Sequence, residues 1–291
     1  MERIRTPAAM RAWADARRLE GARIGLVPTM GYLHEGHVSL VQVAKGAGCS
    51  AVAATIFVNP TQFEPGGDFE TYPRDEARDL AMLEAAGVDA VYLPGVKDMY
   101  PEGHQTVVDV TGVSRGLCGA ARPGHFRGVA TVVAKLFLAA KPHAAVFGEK
   151  DRQQLAVIRA MTRDLDFGVE IVGAPIVREE DGLAMSSRNA YLKGEDRIAA
   201  RCLSRGLCRA KALFDAGERD AGILVGAARR EIETEPRAMM EYAEGRDPET
   251  LAPLAGRVDA VTILLAAKVG PARLIDNITL GKRIPGRDAS C

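Results

Sequence analysis

No run of roughly 18 apolar residues occurs in this chain, so it carries no candidate for a hydrophobic membrane-spanning helix. Neither sign of charge dominates, with 38 Lys and Arg against 38 Asp and Glu. Without a global basic field to attract polyanions, a nucleic-acid partner is not expected, while a local basic pocket remains open. Cysteine is scarce and unpatterned. Cys49, Cys118, Cys202, Cys208 and Cys291 contain no C-x-x-C pair and are odd in number, which fits a reducing compartment and argues against a disulfide framework or structural zinc. Met1–Glu20 carries Arg3, Arg5, Arg11, Arg17 and Arg18 but no apolar h-region, so it does not read as a secretory leader. What is present is 291 residues, 47% of them hydrophobic, enough for one large core or two modest ones. A cytoplasmic protein with no membrane partner is expected.

Short apolar runs alternate with helical patterns through the first half. Ile24–Val27 and Ala51–Val58 are almost continuously apolar, as strands buried on both faces are, with a helix between them near Gly36 to Lys45. Helical spacing over Asp75–Ala86 leads through Gly87 to a strand at Val88–Leu93. A glycine-bearing stretch, Gly95–Gly124, reads as a long surface loop or flap. Val129–Ala140 is a strongly apolar helix, Ala144–Phe147 a strand, Asp151 to about Leu165 a capped helix, and Val169–Val172 a further strand. This alternation predicts a Rossmann-like, mainly parallel α/β sheet with helices on both faces. Beyond Pro175 the pattern changes to helices at Arg197–Ala216 and Ala221–Glu233, then strands at Ala238–Ala243, Ala260–Ala266 and Arg273–Thr279. The expected domains are 1–176 and a smaller α+β domain, 177–291.

Two of the five histidines fall within four residues, in the segment Pro28 to His37 that follows the first of these runs. The composition gives roughly 0.009 chance occurrences of His-x-Gly-His. A glycine turn leading from strand to helix presents backbone N–H groups to phosphate, so His34 and His37 are candidate phosphate donors. A helix-capping role and a metal pair are the other readings, the latter lacking a nearby third ligand.

Further candidates gain weight beside that motif. In Met185-Ser186-Ser187-Arg188, hydroxyls and a guanidinium offer donors to a polyphosphate, although such a run is ordinarily a turn or cap. Gly148-Glu149-Lys150-Asp151 follows a strand at the end where open α/β sheets bind ligands; Lys150 supplies a point charge, and Asp151 is a helix cap or an outer partner of Mg²⁺. Gln62, after Asn59-Pro60-Thr61, and Gln154, one turn from Lys150, suit a substrate bearing hydroxyl and carboxylate groups. Arg122-Pro123-Gly124-His125-Phe126 is a basic turn opening a helix, either a flap contact or plain helix initiation.

In this order, PTMGYLHEGH (28–37), IFVNPTQF (56–63), RPGHFRGV (122–129), FGEKDRQQ (147–154), DGLAMSSRN (181–189) and RLIDN (273–277) resemble the pantothenate synthetase, or pantoate–β-alanine ligase, family of HIGH-type nucleotidyltransferases. The resemblance implies a Rossmann-like domain, a smaller C-terminal lid and a cytoplasmic homodimer. It further implies an enzyme that joins pantoate to β-alanine with ATP and Mg²⁺ through a pantoyl-adenylate. Carried over, Met30, Gly31, Tyr32, Leu33, His34, Glu35, Gly36, His37, Gly148, Glu149, Lys150 and Asp151 line the ATP site. Val177 meets adenine through its backbone, and Met185, Ser186, Ser187 and Arg188 close over the phosphates. His37 is the implied proton donor, with His34, Lys150 and Arg188 assisting catalysis. Gln62 and Gln154 bind pantoate, and Gln62 also lies near β-alanine. Mg²⁺ rides on the ATP phosphates, with Asp79 and Asp151 its candidate protein contacts. Arg152, where the family commonly has an aromatic residue, and Thr61, where it has Met or Leu, bear on pocket shape. The competing readings are another HIGH-type nucleotidyltransferase and a non-catalytic nucleotide sensor on the same fold. An aminoacyl-tRNA synthetase is disfavoured by the balanced charge and short length.

Overall fold

The computed structural model describes residues 1–64 and 66–281. Its first sheet forms from the apolar runs. β1 (Glu2–Ile4), β2 (Ile24–Val27), β3 (Ala51–Thr55), β4 (Ala90–Tyr92), β5 (Ala144–Gly148) and β6 (Glu170–Ala174) pair in parallel in the order β1-β4-β3-β2-β5-β6. Every residue of β2 and β3 is buried, which is why both read as unbroken apolar runs. From β2 the chain winds outward to β3 and β4, then returns to place β5 on the other edge of β2. The order reverses between β2 and β5, and ligands of open α/β sheets sit beyond the carboxyl ends of strands at such a point. The segment from Pro28 to His37 follows β2, and Glu149 follows β5.

The helices up to β6 are α1 (Pro7–Leu19), α2 (Glu35–Gly46), α3 (Glu76–Ala85), α4 (Val96–Met99), α5 (Leu117–Ala121), α6 (His125–Ala140) and α7 (Arg152–Asp164), of which α5 belongs to the second compact unit. Residue contacts divide the chain into two compact units. The first comprises Met1–Arg115, Arg122–Glu149 and Gln154–Ala174; the second comprises Gly116–Ala121, Lys150–Gln153 and everything from Pro175. The first unit is built on Val27, Leu33, Val41, Val52, Leu83 and Val146. In the second, α8 (Gly194–Ala199), α9 (Cys202–Asp215) and α10 (Ala221–Glu233) accompany an antiparallel sheet of β7 (Ala238–Arg246), β8 (Val261–Val269) and β9 (Ala272–Leu280), in the order β7-β8-β9. Leu203, Leu207, Leu224, Ile263 and Leu265 are central to its core. Residues 282–291 of the expected second domain, Cys291 among them, lie outside the described residues. No helix of the described residues is long and apolar enough to cross a membrane.

Several elements differ from the sequence reading. β1 and α1 were not expected; Thr6 caps α1 by accepting the Ala9 N–H at 3.2 Å, Pro7 opens it, and Met10, Trp13 and Ala14 are its buried face. β3 ends at Thr55 rather than Val58, because Ile56 still donates to the Tyr92 carbonyl while the Phe57 N–H turns to Thr29. The stretch 95–124 is not one long loop: it holds α4 and α5, anchored by buried Met99, Leu117 and Cys118. The helix expected over 197–216 is interrupted at Ala200 and Arg201, between α8 and α9.

Candidate active site

In the first unit, the connection from β2 to α2 depends on its glycine. Gly31 has φ +84, and a Cβ there would lie 2.9 Å from Asp79 Oδ2 and 3.0 Å from Ile56 Cγ2. Tyr32 follows with φ +48, so two successive left-handed residues turn the backbone back on itself. The Tyr32 N–H donates to Asp79 Oδ2 and the Leu33 N–H to Asp79 Oδ1, both at 2.7 Å. Asp79, on α3, is only 1% exposed. Burial pushes its carboxyl above the ordinary range, against the downward pull of the two N–H donors. The structure thus places Asp79 under the glycine loop as a positioning residue. Thr29 adds a second tie, donating through Oγ1 to the Thr55 carbonyl at 2.5 Å and through its N–H to Thr55 Oγ1 at 3.1 Å.

His34 is the extended residue before α2, and its N–H donates to His37 Nδ1 at 3.3 Å. The ring centroids are 4.0 Å apart. The capping reading is therefore realised, and it serves the donor reading. When Nδ1 of a neutral imidazole accepts, the ring proton resides on Nε2, which makes Nε2 the donor.

Gln62 closes a one-turn 3-10 helix, Pro60–Gln62, and is buried. Its amide is oriented by a neighbour: Asn59 Nδ2 donates to Gln62 Oε1 at 3.1 Å and to the Gly128 carbonyl at 3.1 Å. That bond turns Gln62 Nε2 outward, 3.1 Å from Met30 Sδ. The expected pantoate glutamine and the expected ATP loop consequently touch within one unit. Asn59 Oδ1 accepts from Tyr100 Oη at 2.8 Å and from Thr61 Oγ1 at 2.9 Å, so Thr61 supplies this network with a hydroxyl that Met or Leu lacks. Arg122 Nη2 and His125 Nδ1 both reach the Gln62 carbonyl, at 3.1 and 2.9 Å; a carbonyl only accepts, so Nδ1 of His125 carries a proton. Gln154 is partly buried on α7.

In the second unit, Lys150 Nζ donates to the Met185 carbonyl at 3.0 Å, and the Met185 N–H donates to the Val177 carbonyl at 3.0 Å. Ser186 caps the 3-10 turn Ser187–Tyr191 by accepting the Arg188 N–H at 3.3 Å, so this run does serve as a cap. Burial pulls the Lys150 ammonium below the usual lysine range, and Arg188 pulls it the same way, against Asp151 and Asp276. Two cations that disfavour each other's charge are relieved by an anion between them. Arg152 is 9% exposed and donates through Nη2 to the Pro248 carbonyl at 2.5 Å. It secures a loop of its own unit. Gly148 ends β5, while Glu149 and Asp151 bracket Lys150 in a single 3-10 turn, Glu149–Asp151. Among the described residues, no group of three or more His, Cys, Asp or Glu side chains is arranged to hold a metal ion.

Asn59, Gly128, Asp276 and Asn277 lie in segments that carry the family resemblance, but the sequence assigns no individual role to them or to Arg178. The contacts that give these residues their roles span up to 127 positions and have no local signature.

The family model for pantoate-beta-alanine ligase matches residues 2–279. Pantothenate synthetase from Anaeromyxobacter dehalogenans is 55% identical over 282 residues, covering 95% of this chain and 97% of its own. That from Geobacter sulfurreducens is 52% identical over 282 residues, covering 97% and 99%. The crystal structure of pantothenate synthetase from Thermus thermophilus superposes with a TM-score of 0.90 at 47% identity, covering 96% of this chain and 99% of that one. A pantoate-beta-alanine ligase from Francisella tularensis, complexed with beta-gamma ATP and beta-alanine, gives 0.78 at 31% identity, covering 96% and 97%. With nearly the whole length matched in sequence and in fold, this chain belongs to the pantoate–β-alanine ligase family.

Proposed function

We propose that His34, His37, Lys150, Ser186, Ser187 and Arg188 are the triphosphate contacts of this chain, and that Gln62 and Gln154 hold pantoate. The enzyme condenses pantoate with β-alanine to pantothenate, consuming ATP and releasing AMP and pyrophosphate through a pantoyl-adenylate. The observation that carries the site assignment is the 3.1 Å contact between Gln62 Nε2 and Met30 Sδ, which joins the acid-binding glutamine to the start of the nucleotide loop.

A carboxylate is a poor electrophile toward an amine. In the first step a pantoate carboxylate oxygen attacks the α-phosphorus in line, the P–O bond to pyrophosphate breaks, and the mixed anhydride remains. Negative charge grows on the α-phosphoryl oxygens and the departing pyrophosphate. The Nε2–H of His37, the Lys150 ammonium and the Arg188 guanidinium are donors suited to that charge. Gln62, fixed by Asn59, presents an N–H donor to pantoate oxygens. In the second step the β-alanine amine attacks the acyl carbon, the C–O bond breaks, and AMP leaves. No covalent link to the protein is required, since neighbouring sites supply proximity.

Mg²⁺ bound with ATP would offset charge on the phosphates. Asp79 is 1% exposed and both its oxygens accept loop N–H groups, so its part is to hold the loop. No step is assigned to a protein-held metal. The remaining parts of the reading are a lid role for the second unit that keeps water from the anhydride, assembly as a homodimer, and a cytoplasmic location. The test of function is AMP release by the purified protein. It should require pantoate and β-alanine together for net turnover; AMP formation indifferent to both would contradict the reading.

A further inference from the structure

The RLIDN segment lies on β9, and the catalytic steps above leave it without a part. One of its side chains nonetheless reaches the Lys150 turn, and another reaches the hairpin that leads into Met185–Arg188. Asn277 Nδ2 donates to the Lys150 carbonyl at 3.0 Å, which fastens the Lys150 turn to β9. Its neighbour Asp276 is 3% exposed and takes Arg178 in a bidentate pair, Nη1 to Oδ2 at 2.7 Å and Nη2 to Oδ1 at 3.0 Å. The Asn277 N–H also donates to Asp276 Oδ1, at 2.8 Å. Arg178 in turn donates to the Gly182 carbonyl at 3.0 Å and forms a bridge with Ala184. This small hairpin leads directly into Met185, whose carbonyl receives Lys150 Nζ. All of these residues belong to the second unit.

We propose that Asp276 and Asn277 are positioning residues for adenylation, setting the register between the Lys150 turn and the Met185–Arg188 segment. The proposal rests on the reading of Lys150 and Arg188 as triphosphate contacts. The physical reason for such a device is electrostatic. Lys150 and Arg188 repel, so nothing intrinsic to the pair holds them at the separation a triphosphate needs. Adjacent residues of one strand, a rigid element, can fix both. The buried Asp276 charge also faces Lys150 together with Asp151, and both favour its charged form against Arg188 and burial.

The test is pantoate-dependent pyrophosphate release, measured with ATP and pantoate varied separately across pH, in Asn277→Ala, Asn277→Ser, Asp276→Asn and Lys150→Ala. A misplacement of about 1 Å at a reacting centre costs on the order of a hundredfold. Asn277→Ala is expected to lose roughly ten- to a hundredfold in adenylation kcat. Its pantoate KM should stay within about twofold, while Asn277→Ser, which keeps a donor, recovers part of the loss. Asp276→Asn can still accept from Arg178 but loses the charge. Its basic pH limb should therefore move to lower pH, and that of Asn277→Ala should not. Wild-type adenylation in Asn277→Ala beside an inactive Lys150→Ala overturns the proposal and leaves the site reading intact. Near-normal adenylation in Lys150→Ala overturns the reading itself. A loss in Asn277→Ala that merely follows its folded fraction, equal for both substrates and unrelieved by serine, makes the residue structural only and also overturns the proposal.

Discussion

Replacing Gly128 with alanine should damage the pantoate site from behind. Gly128 is buried in the first turn of α6, where its carbonyl accepts from Asn59. A Cβ at this position would lie 2.3 Å from the Thr61 carbonyl oxygen and 2.7 Å from the Gln62 nitrogen. Both are backbone atoms, so no side chain can rotate away. Restoring an ordinary contact of 3.4 Å or more requires α6 and the Pro60–Gln62 turn to separate by about 1 Å. Overpacking of this kind costs about 1–3 kcal/mol of stability. The same displacement lengthens the Asn59 bond to the Gly128 carbonyl and shifts the amide that orients Gln62. A 1 Å error at a positioning group is worth on the order of a hundredfold in rate. Denaturant unfolding with steady-state kinetics, varying pantoate and ATP in turn, separates the two effects. The expected result is a folded protein with kcat/KM for pantoate down by about two orders of magnitude and a much smaller change in ATP KM. Unchanged pantoate kinetics would refute the claim that this close approach sets Gln62.

Three further outcomes follow from the geometry. Asp79→Asn replaces one acceptor of the loop N–H pair by a donor and should cost about 1–3 kcal/mol, since one N–H is left facing an amide NH₂, with a raised ATP KM; an unaltered melting curve would argue against the anchoring role. His37→Ala should lower adenylation kcat by about 10²–10³ while leaving the folded state largely intact, as removal of one transition-state donor does; near-normal adenylation would remove His37 from the donor set. His143 Nδ1 accepts the Ile24 N–H at 2.9 Å, and burial with Arg18 and Arg23 holds the ring below its ordinary value of 6.5. The fold thus favours the neutral ring, so this stabilisation is complete above pH 6.5 and is lost as pH falls through the lower folded value. Unfolding free energy measured against pH should slope less on the acid side in His143→Gln than in the parent, and equal slopes would contradict the assignment.

β2 and β3 are legible because burial on both faces leaves a nearly continuous apolar run, as in Ala51–Ala54, whereas β1, with two of its three residues exposed, leaves none. α1 is not, since only Met10, Trp13 and Ala14 of its residues are buried, and Arg11 among them with Arg17 and Arg18 after them masks the period. The break at Ala200 and Arg201 was equally silent, because neither residue is a helix breaker. At the site, the side chains proposed to meet the substrates lie in short motifs. Their supports act across long separations: Asp79 reaches back 47 and 46 residues to Tyr32 and Leu33. Gly128 acts through the space it leaves beside another segment's backbone, which only the packed structure displays.

Activation of pantoate by attack on the α-phosphate fixes where its carboxylate oxygen must go. It is tested most directly with pantoate carrying heavy oxygen in its carboxylate and mass analysis of the nucleotide product. The bridging oxygen of the acyl-adenylate comes from pantoate and stays with phosphorus when the β-alanine amine breaks the C–O bond. One labelled oxygen should therefore appear in AMP for each pantothenate formed. Unlabelled AMP, or ADP with label in inorganic phosphate, would place the attack elsewhere and rule out a pantoyl-adenylate.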